Sequence, residues 1–384
     1  MTEVTTLKLL DRLIGFPTVS SASNLALIGW AEEYLRGLGF RCFRITGKTP
    51  ENAGIFASVG PEGPGGVLLS AHSDVVPVDG QTWTRPPFSL TQVGGRLYGR
   101  GTTDMKGFLA SALAAAAQAA RRPLREPFKL AISYDEEVGC LGIRQMVGQL
   151  ATTVGLPRLC IVGEPTGLRV ATGHQGKVAL TARFTGVTGH SAMAPDYLNA
   201  LHLAADFVQA LRAEQDRLTA EGAQDRDYDI PWSTLHVGKL GGGRALNIVP
   251  DQAQAEFELR HLAADHPEEI LARLQARCAQ IVGPLRLRFP TAAIRFEQVN
   301  AYPGLDTAPG HPAVAEVMAL AGGAATTKVG YGTEAGFFAG LGIPTLVCGP
   351  GSMDQGHKPD EFIEVRQLAA CDAMLARLVQ SLAS

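Results

Sequence analysis

Near Lys177 the apolar pattern of this chain changes character, and that change constrains the fold more than any other feature. Before it, helical spacing over Leu7–Ile14 and Ala26–Leu38 is followed by apolar runs at Ile55–Val59, Val67–Ser70, Phe128–Ser133 and Leu159–Val162. Helical stretches at Met105–Ala120 and Gly139–Leu150 lie between the later runs. Short apolar runs bounded by turn formers predict buried strands, and their alternation with helices predicts an α/β domain with a mostly parallel mixed sheet flanked by helices. After the change the order is strand Val178–Phe184, helix Leu198–Glu214, strands Ser233–Gly238 and Ala253–Arg260, helix Glu268–Ile281 and strand Ala293–Val299. This β-α-β-β-α-β order is the ferredoxin-like α+β arrangement. The polar stretch Glu214–Asp229 predicts a loose connection. A strand at Thr345–Cys348 and a helix at Arg366–Leu382 restore the α/β character. The prediction is one domain formed by residues 1–177 and 300–384, with a smaller domain, 178–299, inserted into it.

A chain of 384 residues exceeds what one core usually organises, which agrees with two domains. A formal charge of −3 without any Lys/Arg run argues against nucleic acid and membrane surfaces as partners and leaves a small molecule. Residues 1–14 are amphipathic and lack the apolar centre of a secretory signal, and no apolar run has the length of a membrane span. Cys42, Cys140, Cys160, Cys278, Cys348 and Cys371 are far apart and lack any CxxC spacing. They predict reduced core thiols, and with them a cytoplasmic protein.

Five loops that follow apolar runs or precede a helix carry groups able to do chemistry. Leu69-Ser70-Ala71-His72-Ser73-Asp74 runs from a strand into a His and an Asp. The Asp suits either a turn or the second ring nitrogen of a metal-bound His. In Gly99-Arg100-Gly101-Thr102-Thr103-Asp104-Met105, Asp104 suits a helix N-cap or a carboxylate bridging two cations. Asp135-Glu136-Glu137 ends a strand with three acids, which is either a solvated turn or a ligand beside a general base. Glu164 in Gly163-Glu164-Pro165-Thr166 and His357 in Gly349–Pro359 repeat the placement. Each alone has a bland reading, but the conjunction is improbable in a chain with nine His. A His and carboxylate donor set without Cys suits zinc, or cobalt or manganese, in a hydrolytic site.

These motifs, in this order and over essentially the full chain, resemble the M20 metallopeptidase family. The resemblance implies two divalent ions per chain, zinc before others, with His72 and Glu164 on one, Glu137 and His357 on the other, and Asp104 bridging. It also implies that Glu136 is the general base, that Asp74 orients His72, and that the peptide after Asp104 is cis. His190, in Gly186-Val187-Thr188-Gly189-His190-Ser191, would reach from the lid of one subunit into the site of its homodimer partner and stabilise the oxyanion.

The segment Lys328-Val329-Gly330-Tyr331-Gly332-Thr333-Glu334-Ala335-Gly336 resembles the acetylornithine deacetylases of the family, where desuccinylases carry Ser-Asp-Gly in place of Thr333-Glu334-Ala335. The expected substrate is therefore an N-acyl amino acid, N2-acetyl-L-ornithine first. Desuccinylase, aminoacylase and dipeptidase activities stand as alternatives, and a metal-dependent binding module without catalysis as an alternative of another class. Glu334 is expected to meet the substrate ammonium, and Arg260 with Asn247 its carboxylate, against the reading that Arg260 pairs with Glu258 or Asp265. The run Gly241-Gly242-Gly243 lacks the Lys-Ser/Thr of a phosphate loop and predicts a turn.

Overall fold

The computed structural model describes residues 5–384, so the first four residues of the amphipathic N-terminal segment lie outside the described residues. The chain forms two compact units, one reaching to Gly173 and resuming at Leu305–Ser384, the other His174–Gly304. Along the chain come α1 (Thr6–Ile14), α2 (Leu25–Gly37), β1 (Arg41–Thr46), β2 (Ala53–Val59), β3 (Val67–His72), α3 (Lys106–Ala119), β4 (Phe128–Ser133), β5 (Leu159–Pro165) and β6 (Val170–His174). The second unit carries β7 (Gly176–Thr185), α4 (Ala200–Glu221), β8 (Thr234–Gly242), β9 (Gln252–His261), α5 (Pro267–Leu285) and β10 (Ala293–Tyr302). Then β11 (Leu305–Asp306), β12 (Thr326–Val329), β13 (Thr345–Gly349) and α6 (Val365–Ala383) complete the first.

The sheet of the first unit runs β1-β2-β4-β3-β5-β13-β6-β11, with β12 beside β6. Its centre is parallel: β3 pairs with β4 and β5, and β5 with β13. β1 and β2 are added antiparallel at one side. β3 and β4 are buried at every position, as strands covered on both faces must be. Leu10 and Leu13 of α1, Leu109 and Leu113 of α3 and Leu375 and Leu378 of α6 belong to its continuous apolar core.

In the second unit the order is β8-β9-β7-β10, antiparallel throughout, which is ferredoxin-like. β9 alternates, burying Ala253, Ala255, Phe257 and Leu259. Phe207 of α4 packs on Phe184, Phe257 and Phe296 at centroid distances of 5.5, 5.2 and 5.7 Å. The Asn199 side chain caps α4 by accepting the Leu201 N–H at 2.8 Å.

Two local expectations change. The stretch from Glu214 is not loose at its start, because α4 continues to Glu221. Leu218 is buried there, and Glu214 is held by Arg217 at 2.7 Å and Arg273 at 3.0 Å. The helix expected over Gly139–Leu150 is broken into a short α-helix, Leu141–Met146, and a 3-10 turn, Val147–Gln149. Gly139 and Cys140 are outside it, both at positive φ. No helix among the described residues is long and apolar enough to cross a membrane. All six cysteines are buried and free.

Candidate metal centre

Parallel strands that end together open their loops on one crevice. His72 is the last residue of β3, Glu164 stands near the end of β5, Asp135–Glu137 follow β4, and His357 lies in the loop after β13. Asp104 precedes α3, and the Asp104–Met105 peptide is cis. The residue before Glu164 has to be glycine, because a Cβ on Gly163 would come within 1.9 Å of the Phe108 ring of α3.

Asp104 sits between two imidazoles. Its Oδ1 is 3.1 Å from His72 Nε2, and its Oδ2 is 3.1 Å from His357 Nε2. Glu164 Oε1 approaches His72 Nε2 to 3.7 Å, and Glu137 Oε2 approaches His357 Nε2 to 3.0 Å. Two His–carboxylate pairs thus share one carboxylate. The His72 side chain is 1% exposed and that of His357 46%, so the cluster meets solvent on the His357 side.

The three consecutive acids diverge. Asp135 takes positive φ, and its Oδ1 accepts the Ser21 N–H at 2.7 Å. Glu136 accepts the Cys140 thiol at 3.3 Å and brings an oxygen into a group with His72 and Glu164 whose donor atoms lie within 4.8 Å of one another. Glu137 turns to His357. Asp74 does more than face His72. The ring Nδ1 is 3.0 Å from the Asp74 backbone carbonyl and 3.5 Å from its Oδ1. The carboxylate also accepts the N–H groups of Glu136 and Glu137, at 3.1 and 3.3 Å, and the Ser20 hydroxyl at 2.7 Å. Asp74 therefore fixes the acidic loop against His72. Nothing local in the sequence marks Ser20, Ser21 or Cys140 for these tasks.

The charges are strongly perturbed. Burial, with Glu137, Glu334 and Asp104 adding to it against the pull of His72, lifts the Glu136 carboxyl well above the usual range. Glu164 is lifted likewise, first by burial and then by Asp104. Burial and the nearby Asp104 raise Glu137 to about 7. Burial also disfavours charge on Asp104, but hydrogen bonds from His357 and His72 outweigh it and hold that carboxyl well below its usual value. Hydrogen bonds to Asp104 and Glu137 raise His357 to about 10.

Buried Oε1 of Glu137 has no hydrogen-bond partner. Crowded carboxylates with an orphaned oxygen, two imidazoles and no thiolate fit divalent cations of the zinc type.

The remaining expected residues divide. Glu334 is 1% exposed and its Oε2 accepts the Ser70 hydroxyl at 3.1 Å, while its buried Oε1 has no hydrogen-bond partner. Burial raises it to about 7. Arg260 pairs with Glu258 at 2.9 Å, and Lys177 holds the other oxygen of that acid at 2.9 Å, so the structural ion pair is formed. His190 and Asn247 are both exposed on the second unit and adjacent, the Ser191 N–H donating to the Asn247 carbonyl at 3.0 Å. His190 Nδ1 accepts the Ala192 N–H at 3.1 Å, which leaves the proton of a neutral ring on Nε2.

The model of peptidase family M20/M25/M40 matches residues 68–381. Over 374 residues the chain is 33% identical to an acetylornithine deacetylase of Shigella sonnei (strain Ss046), covering 96% of this chain and 95% of that one. An M20 family metallo-carboxypeptidase of Sulfolobus solfataricus superposes with a TM-score of 0.76 at 18% identity, over 98% of both chains. A dinuclear metal binding peptidase of the same family from Bacillus subtilis superposes with a TM-score of 0.69 at 14% identity, over 98% of this chain and 97% of that one.

Proposed function

Because the chain belongs to peptidase family M20/M25/M40 and is a metal-dependent hydrolase, we propose that it hydrolyses N2-acetyl-L-ornithine to L-ornithine and acetate. Its place would be arginine biosynthesis in the cytoplasm. The observation that carries the reading is the sharing of Asp104 between His72 and His357, each of which has a further carboxylate of its own. In this reading His72 and Glu164 hold one ion, Glu137 and His357 the other, and Asp104 bridges them. Zinc is the ion proposed.

When bound, two such cations supply polarisation of the acyl carbonyl and acidification of water. The residues of the chain do the rest. Glu136 takes the proton from water as the water attacks the acetyl carbon, a task suited to a carboxyl that burial makes more basic than an ordinary one. It then delivers that proton to the departing amine, so no covalent acyl-enzyme is required. Asp74 keeps Glu136 and His72 in register throughout. His190 from a second copy of the chain donates its Nε2 proton to the oxyanion, which makes a homodimer the active form. Asn247 and Arg260 are the proposed carboxylate contacts, with Arg260 preorganised by Glu258.

The likeness of nearly the whole chain to an acetylornithine deacetylase supports the substrate. Assay of the zinc-loaded protein for ornithine release from N2-acetyl-L-ornithine tests it. Release that stops on chelation and returns with zinc is expected; no release from the loaded protein contradicts the proposal.

A further inference from the structure

Behind the cluster lies a buried polar network that the reaction itself does not use. Arg100 and Glu361 are each 1% exposed and form an ion pair at 2.8 Å. Glu361 Oε1 accepts the backbone N–H groups of Thr103 and Asp104, at 2.9 and 3.1 Å. Its Oε2 accepts the Gly101 N–H at 3.0 Å as well as the Arg100 guanidinium. On the other side Arg100 Nη2 donates to Gln81 Oε1 at 2.6 Å, and Gln81 Nε2 donates to the His357 carbonyl at 2.9 Å. The guanidinium also lies over the Trp83 ring, 4.9 Å from its centroid.

Traced through, the path runs from the Asp104 N–H to Glu361, Arg100, Gln81 and the His357 carbonyl. It closes where Asp104 Oδ2 meets His357 Nε2 at 3.1 Å. Arg100 Nη1 donates in addition to the Lys358 carbonyl at 3.3 Å, so the guanidinium braces the His357–Lys358 backbone both directly and through Gln81. His357 has φ +61, a conformation that non-glycine residues adopt only when their surroundings hold it.

We propose that Glu361, Arg100 and Gln81 are positioning residues that set the separation of Asp104 and His357 and thereby the affinity of the cation held between them. The proposal rests on the reading that these two side chains are ligands. Neither Arg100 nor Glu361 need touch substrate. Each acts on the backbone of a ligand, and a ligand displaced by a few tenths of an ångström still folds but binds its ion less well.

Stepwise calorimetric titration of the metal-stripped full-length protein with Zn²⁺ tests this, with thermal melting of each stripped protein as the control for folding. Wild type is expected to take up about two Zn²⁺ per chain. Gln81→Ala removes the hydrogen bond to the His357 carbonyl at the half-buried member of the ring, and leaves Arg100 paired with Glu361, so no buried charge is stranded. It is expected to weaken one of the two binding events by about 10- to 100-fold and to leave the other event and the stripped melting temperature in place. Glu361→Gln puts an amide where the carboxylate accepts four donors, and is expected to weaken the same event at least as much. Unchanged affinities in Gln81→Ala, with two ions bound by wild type, overturn the positioning role alone. Equal weakening of both events together with a lower melting temperature marks a merely structural role and overturns it too. Absence of Zn²⁺ binding by wild type overturns the ligand reading and this proposal with it.

Discussion

His72 and His357 approach opposite oxygens of one carboxylate, that of Asp104, each at 3.1 Å. An asparagine there would offer one oxygen and one N–H₂ group, and so could serve only one of the two sides. Asp104→Asn is therefore expected to lower the metal content from about two ions per chain and to abolish turnover. Elemental analysis after dialysis, alongside the ornithine-release assay, checks it.

Glu136 stands beside the proposed ions and accepts the Cys140 thiol. Glu136→Gln keeps the shape but removes the proton acceptor. It should lower kcat by about 10² to 10⁴, with KM close to that of wild type. Steady-state kinetics separates the two parameters; a lowered kcat/KM carried by KM alone would show that Glu136 binds rather than reacts.

The metal-stripped protein should lose stability as pH rises. Glu137 moves from 4.5 in the unfolded chain to about 7 in the fold, so its contribution is present below 4.5 and is lost as pH climbs through 7. His357 moves from 6.5 to about 10, so its contribution is complete below 6.5 and is lost toward 10. Both slopes run the same way. Cations bound at these groups take the place of the lost protons, and the gap in Tm between loaded and stripped protein should widen from about pH 5 to about pH 9. Calorimetry with and without chelator at several pH values measures it.

If His190 serves the site of a second copy, two inactive variants should complement. In a heterodimer of His190→Ala with Glu136→Gln, one site carries both defects and the other carries none. Random re-pairing of equal amounts should then restore about one quarter of wild-type turnover. Mixtures that stay inactive after subunit exchange would place His190 in the site of its own chain or outside any site.

The inserted ferredoxin-like unit was legible because local patterning and tertiary burial agree there: alternate residues of β9 face the core, and Asn199 caps the helix that follows the first strand. The five residues now proposed as ligands were legible because the ends of strands, or the start of a helix, fix where they can stand. The division of labour among Asp135, Glu136 and Glu137 was not. It depends on Ser21, Asp74 and Cys140, the first two of them distant in sequence, and on a positive φ at Asp135. The surroundings of Glu334 were not legible, because the Ser70 that meets it is far away along the chain. The part played by Glu361 was hidden for the same reason, since its partners are backbone N–H groups that no sequence pattern displays.

The most direct test is a comparison of kcat/KM for N2-acetyl-L-ornithine, N-succinyl-diaminopimelate, N-acetylmethionine and a dipeptide on the same zinc-loaded protein. The highest value is expected for N2-acetyl-L-ornithine. A higher value for any of the other three would contradict that expectation.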